Sequence, residues 1–408
     1  VSRGAPSGPI ARDLLEALEE LSAIGRRGES GYWRFAWSEE DAAARRWFAA
    51  EAARREMALE CDRNGNLWAW WGDSALEGVA TGSHLDSVPG GGALDGPLGV
   101  ISGFLAVDEL RRRGATLGRR VGVVCFADEE GGRFGLACVG SRLLCGALAP
   151  EQARALTDSS GVTLETAMRA AGVDPERLGR DDERLGRLKS FVEVHIEQGV
   201  ALADREAPIG IATSIWPHGR WRYEIEGEAN HAGTTRLADR HDPMLCLADL
   251  VLAARAAALA AGGLATIGRV VVEPNATNAI AHEVTGWLDA RAPSTSSLEG
   301  MLVSVRRAAE ESARVTGVAA RVVEESFTPG VAFNEELIAV AGEACGELPR
   351  LATGAGHDAG ILAGSIPTAM LFIRNPSGVS HAPSEGASTE DCVAGVLGLT
   401  AMLARLCA

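Results

Sequence analysis

Three apolar runs in this chain end in residues that bind metals or move protons. GVATGSH (78–84) stops at His84, VGVVCFADEE (121–130) at three carboxylates, and SFVEVHIE (190–197) carries His195 near its end. Runs so short and so apolar suit strands buried on both faces, as in a parallel sheet covered by helices. Between the first two lies PLGVISGFLAVDELRRRG, which reads as a helix opened by Pro97 and closed by Gly114. The order predicts an α/β fold with a mainly parallel sheet flanked by helices. In such sheets the ligand site lies at the carboxyl ends of the strands, where these polar residues fall.

The middle of the chain has a different rhythm. Arg220 to Gly227 alternates, a helix is expected from about Asp242 to Ala261, and LATIGRVVVEP and HEVTGWLDARAP read as two strands. A helix from about Ser296 to Thr316 and the strand GVAARVVEES complete a β-α-β-β-α-β order, that of a ferredoxin-like domain. After Pro329 the earlier pattern resumes, with helices near Asn334 to Cys345 and Thr389 to Cys407 around the strand PTAMLFIRNP. The expected organisation is therefore a catalytic domain made of 1–212 and 328–408, interrupted by an inserted domain at 213–327. Helices are also expected at Ile10 to Leu21 and Glu39 to Met57.

A chain of 408 residues favours two domains, and 46% hydrophobic residues suffices for full cores. The net charge of −16, with no basic tract, argues against nucleic acid. Eight cysteines without a CxxC pair fit reduced core residues and a cytoplasmic location. The first twenty residues lack the apolar core of a signal peptide, and no uninterrupted apolar stretch reaches membrane-spanning length. No membrane association is expected.

The candidate metal ligands are His84, Asp95, Glu130, His195 and His381, a mixed imidazole and carboxylate set suited to Zn²⁺, Mn²⁺, Co²⁺ or Ni²⁺. Asp86, two residues after His84, is positioned to hold that histidine's other ring nitrogen. Glu129, beside Glu130, is a spare carboxylate of the kind that moves protons in metal-assisted hydrolysis. Taken singly, each residue also has a plain structural reading. His84 and Asp86 can make an Asx-turn, Asp95 an ordinary Asp-Gly turn, Glu129 and Glu130 a solvated strand end, and His195 a satisfied core histidine. The glycines at 90–92 lack both GK[ST] and GxGxxG, so a tight turn is favoured over a phosphate loop.

In combination and order, TGSHLDSVPGGGALDGPLGV, FADEEGGRF, EVHIEQG, NHAGTT, GAGHDAG and GVSHAPSE resemble the dinuclear metallohydrolases of the aminoacylase and carboxypeptidase-G-like clan. The resemblance is closer to that clan's amidohydrolase branch of N-carbamoyl-L-amino acid hydrolases, β-ureidopropionases and allantoate amidohydrolases. It runs from about Gly31 to the end of the chain.

The resemblance implies two divalent metal ions per subunit. One would be held by His84, Asp95 and His195, the other by Asp95, Glu130 and His381, with Asp95 bridging. Glu129 would be the general base, and His231 would stabilise the oxyanion. Asn278 and Arg291 would bind a substrate carboxylate, and Gln198 would also contact substrate. His357 is expected to shape the pocket rather than ligate. The implied activity is hydrolysis of a linear amide or ureido bond in a small carboxylate substrate, foremost an N-carbamoyl-L-amino acid. Allantoate, N-acyl or N-formyl amino acids and dipeptides are the alternatives. A homodimer formed through the inserted lid domain is implied as well. Arg236-Leu237, where the family usually has Pro-Met, and the SIWPHGRW stretch depart from the pattern.

Overall fold

A computed structural model describes residues 8–408. Residues 1–7, the start of the expected catalytic domain and part of the stretch read for a signal peptide, lie outside the described residues. The chain divides into two compact units. The larger comprises the chain up to Thr213, Ala332–Leu351 and Gly356–Ala408, and the smaller comprises Ser214–Val331 and Ala352–Ala355. The return of Ala352–Ala355 to the smaller unit had no counterpart in the sequence pattern.

Four strands of the larger unit's nine-stranded sheet are parallel, in the order Arg120–Phe126, Gly78–His84, Leu188–Ile196 and Thr368–Ile373. They are buried along nearly their whole length, which is why their sequences are continuous apolar runs. The sheet turns antiparallel on both sides of this core, where Leu67–Trp71 joins Arg120–Phe126 and Ile209–Ile215 joins Thr368–Ile373. Helix Pro97–Arg112 packs on the sheet and against helix Thr389–Leu406. It buries Leu98, Ile101, Phe104, Leu105 and Leu110. Burying side chains of that size is worth about 1.5–3 kcal/mol each, so the helix is firmly seated. Its entry loop, which carries Asp95, is therefore fixed against the ends of the parallel strands.

The smaller unit is a four-stranded antiparallel sheet in the order Ala319–Thr328, His218–Glu226, Glu283–Arg291 and Leu264–Glu273. Helices Pro243–Ala261 and Thr295–Thr316 pack against each other and cover the sheet. In His218–Glu226 burial alternates, with Trp221, Tyr223 and Ile225 inward and Arg220, Arg222 and Glu224 outward, the period of a strand covered on one face. By length and composition, helix Pro243–Ala261 alone among the described residues could cross a membrane. Here Cys246, Leu247, Leu250, Ala254 and Ala258 are buried in the unit's core, while Leu245, Val251, Leu252 and Leu259 are exposed.

Candidate metal centre and active site

The parallel strands deliver their side chains to one place. His84 ends its strand, His195 sits one residue from the end of its own, and Glu129 and Glu130 follow Phe126 closely. Asp128, at φ 55°, turns the chain sharply there, and the next two amides donate to the Asp86 carboxylate at 3.2 and 3.0 Å. The two glutamates then part. Glu129 Oε2 lies 3.7 Å from His84 Nε2, and Glu130 Oε2 lies 3.5 Å from His381 Nε2.

Asp95 stands at the centre. Its Oδ1 is 3.1 Å from His195 Nε2 and 3.7 Å from His84 Nε2, and its Oδ2 is 3.4 Å from His381 Nε2. Three candidate ligand groups result: His84–Asp95–His195 and Asp95–Glu130–His381, which share Asp95, and Glu193–His195–His357, which shares His195 with the first. Gly96, at φ 85°, makes the first group possible, because a Cβ there would fall 2.5 Å from the His84 ring.

The residues fit a pair of cations on three independent grounds. First, His84 Nδ1 meets the Asp86 backbone carbonyl at 3.1 Å and His195 Nδ1 meets the Ile196 carbonyl at 2.9 Å, which turns both Nε2 atoms toward Asp95, free to accept a cation. Second, both Nε2 atoms and Glu130 Oε1 are buried without a hydrogen-bond partner, a costly state that a cation relieves. Third, carboxylates crowd together. Burial first, then neighbouring Asp95, pushes Glu130 up to about 8. Burial likewise holds Glu129 well above the usual carboxyl range, with Asp358 and Glu130 adding to the shift against His84. Burial opposes protonation of His195, yet Asp95 outweighs it and lifts the ring to about 9.

Asp86 behaves differently from the expectation. Its backbone carbonyl, not its carboxylate, is hydrogen-bonded to His84; the carboxylate, at 3.6 Å from Nδ1, is occupied by the amides of Glu129 and Glu130. Gln198 Nε2 donates to Asp95 Oδ2 at 3.0 Å and lies 3.3 Å from His381 Nε2, directly among the ligands. His381, at φ 55°, is half exposed, while His84 and His195 are buried.

His357 is buried with its ring 4.5 Å from that of His195, and burial, then the His195 charge, holds its pKa well below the usual value. Two residues that the sequence did not single out complete the surroundings. Glu385 Oε1 accepts from the Asp95 amide at 3.0 Å, and Glu193 accepts from Ser83 Oγ at 2.8 Å and the Ala359 amide at 2.9 Å. Strand alternation was the available signal for Glu193, since it lies two residues from His195 on the same face.

His231, Asn278 and Arg291 lie in the smaller unit. Asn230–His231 pairs with Ala279–Ile280, and the Ala232 amide donates to the Asn278 carbonyl, so His231 and Asn278 are neighbours. The Gly233 amide donates to His231 Nδ1 at 3.0 Å, so in the neutral ring the proton resides on Nε2. Arg291 is at the opposite end of its strand, where Asp289 accepts from Nε and Nη2 and the Gly354 carbonyl from Nη1.

Comparison with known proteins gives this geometry a family. A profile for peptidase family M20/M25/M40 matches residues 80–405. The chain belongs to the M20 peptidase family. Among relatives of this family, an N-carbamoyl-L-amino acid amidohydrolase of Geobacillus stearothermophilus is 34% identical over 389 residues, covering 94% of this chain and 95% of that one. An allantoate amidohydrolase of Escherichia coli is 32% identical, covering 96% of this chain and 97% of its own. The crystal structure of an amidase of the hydantoinase/carbamoylase family from Burkholderia multivorans superposes with a TM-score of 0.88 at 30% identity, covering 98% of each chain. The matched span embraces the candidate ligands at the strand ends, the inserted unit and the C-terminal segment carrying His381.

Proposed function

We propose that this protein is a metal-dependent amidohydrolase that cleaves a linear amide or ureido C–N bond in a small carboxylate substrate, with N-carbamoyl-L-amino acids as the preferred class. The observation that carries this reading is Glu129, a buried carboxyl placed beside the two ligand groups that share Asp95 but belonging to neither. Two divalent ions, when bound, acidify water and polarise a carbonyl. Burial raises the proton affinity of the Glu129 carboxyl, which suits a group that accepts a proton and passes it on. Its Oε2 takes a proton from the attacking water and returns it to the departing nitrogen, so one side chain acts in both steps. With a ureido substrate the products are the amine and carbamate, which decomposes to carbon dioxide and ammonia.

The remaining roles follow from donor chemistry. His231 offers Nε2–H to the developing oxyanion. Arg291, its plane fixed by Asp289, and Asn278 bind the substrate carboxylate. Gln198 meets the substrate beside the ions. The positions within the smaller unit bear on assembly. His231 lies beyond the Glu283 end of strand Glu283–Arg291 and Arg291 at the other end, eight residues away, roughly 26 Å at strand rise. No small substrate spans that distance, so both residues serve one site only if they come from two copies of the chain. We therefore favour a homodimer. The exposed Leu252 and Leu259 of helix Pro243–Ala261 and Leu264, Val270 and Val271 of the edge strand are apolar surface suited to such an interface. All eight cysteines are free, in keeping with a reducing cytoplasm.

Allantoate is the second reading, since it carries both a ureido group and a carboxylate and the Escherichia coli relative is named for it. A panel of N-carbamoyl, N-formyl and N-acetyl amino acids, allantoate and dipeptides, assayed with Mn²⁺-, Co²⁺- and Zn²⁺-loaded protein, tests the proposal. Turnover of carbamoyl amino acids is expected to dominate. Preference for dipeptides over every ureido acid would overturn it.

A further inference from the structure

The same parallel strands have a cavity at their other end. It has a volume of about 310 Å³ and is lined in part by Arg120 and Leu188, the first residues of two strands whose carboxyl ends lead to Glu129 and His195. Five arginines face four carboxylates there, in a protein whose net charge is −16.

The carboxylates do not neutralise this cluster evenly. Glu60 pairs with Arg184 at 3.0 Å and Asp181 with Arg63 at 3.4 Å. Asp62 is buried and accepts from the Asn64 and Asn66 amides, Asn66 Nδ2 and Trp68 Nε1, and Glu183 is exposed. Among the described residues no carboxylate lies within ion-pair distance of Arg120, Arg177 or Arg187; Arg187 donates only to the Ser74 carbonyl.

Arg120 is 5% exposed, and its guanidinium lies 3.9 Å from the Trp70 ring centroid. The indole occupies space that Gly78 and Gly122 leave open, since a Cβ at either would fall 2.6 or 2.5 Å from it. The arginine is thus held in a fixed plane by the sheet itself. Burial, and the charges of Arg187 and Arg184 against that of Glu60, lower its pKa, a repulsion that an anion would relieve.

The unpaired atoms decide the sign of the ligand. Trp70 Nε1, Arg120 Nε and Arg184 Nε are buried without a hydrogen-bond partner, though Arg184 Nε lies 4.0 Å from Asp181 Oδ2, and all three are donors; among the described residues no residue lining the cavity leaves a buried acceptor unpaired. We infer that this cavity binds a small phosphate-type oxyanion through Arg120, Arg177 and Arg187, as a site separate from the metal centre. A guanidinium fork matches phosphate oxygens two at a time. Among the described residues, the three lining arginines without a carboxylate partner, Arg120, Arg177 and Arg187, favour a dianion over a monocarboxylate. The volume admits inorganic phosphate or a small phosphate monoester, which share this chemistry.

Calorimetric titration of the metal-loaded full chain with inorganic phosphate, glycerol phosphate and succinate at low ionic strength tests the inference. Binding of phosphate or its ester is expected to weaken about tenfold or more in Arg187→Ala and to vanish in Arg120→Met, with kcat/KM of Arg187→Ala unchanged without phosphate. Tighter binding of either phosphate compound identifies the source and supports the site. Phosphate can also bind at the metal centre, so binding that neither substitution alters would overturn the inference. So would the absence of phosphate binding to the unaltered protein, or succinate binding as tightly as phosphate. If Arg120→Met fails to fold, the exposed Arg187 decides alone.

Discussion

Glu129 and Glu130 are adjacent in sequence and diverge in space, because the turn at Asp128 sends one carboxylate toward His84 and the other toward His381. Glu129→Gln is expected to keep both metals, measured by elemental analysis, while losing at least a thousandfold in kcat, on the order of what proton transfer contributes. Substantial residual activity would remove it from the base role. The ligands also predict a pH dependence. Glu130 at about 8 and His195 at about 9 both bind protons more tightly folded than unfolded. Such groups contribute stability below their unfolded pKa values and lose it as pH rises through the folded ones. The chelated protein should therefore lose thermal stability between pH 6 and 9, and added Mn²⁺ or Zn²⁺ should raise Tm more at pH 9 than at pH 6, since metal and protons compete. A metal increment constant with pH would contradict this. The ligand residue types were readable as motifs. The carbonyl grip on His84 was not, because backbone partners leave no mark on residue identity.

At the scale of elements, the centre depends on loops pinned by rigid neighbours. Helix Pro97–Arg112 fixes Asp95, and Gly96 leaves room for the His84 imidazole. Gly96→Ala adds a Cβ at φ 85° and 2.5 Å from that ring. The positive φ alone costs on the order of 1–3 kcal/mol, so the ring is expected to shift and metal affinity to fall at least tenfold. Far-UV circular dichroism should remain unchanged. Full metal affinity in the folded variant would show that the loop adjusts freely. Strand and helix identities were legible, because buried parallel strands must be apolar and Pro97 and Gly114 mark the helix limits. Glu385 was less so: its bond to the Asp95 amide joins residues 290 positions apart, and no local period records such a contact.

For the molecule as a whole, the distance between His231 and Arg291 within the smaller unit leads to an assembly experiment. Arg291→Ala is expected to raise KM for carboxylate substrates about ten- to a hundredfold, as for a lost charged hydrogen bond, and His231→Ala to lower kcat. If the chain is a homodimer, mixing and reassorting the two variants makes half the dimers mixed and gives each one intact site, so about a quarter of native activity should return when assayed at low substrate. No recovery would remove one of the two residues from the active site.

The sequence by itself determined the α/β order, the inserted β-α-β-β-α-β unit and the residue types of the ligand set, since periodicity and chemistry are local properties. Only the tertiary structure decided how the turn at Asp128 parts Glu129 from Glu130, which carbonyls aim the imidazoles, and which arginines of the cavity lack a carboxylate partner. Those features arise where strands distant in sequence end side by side, and burial there sets the electrostatics.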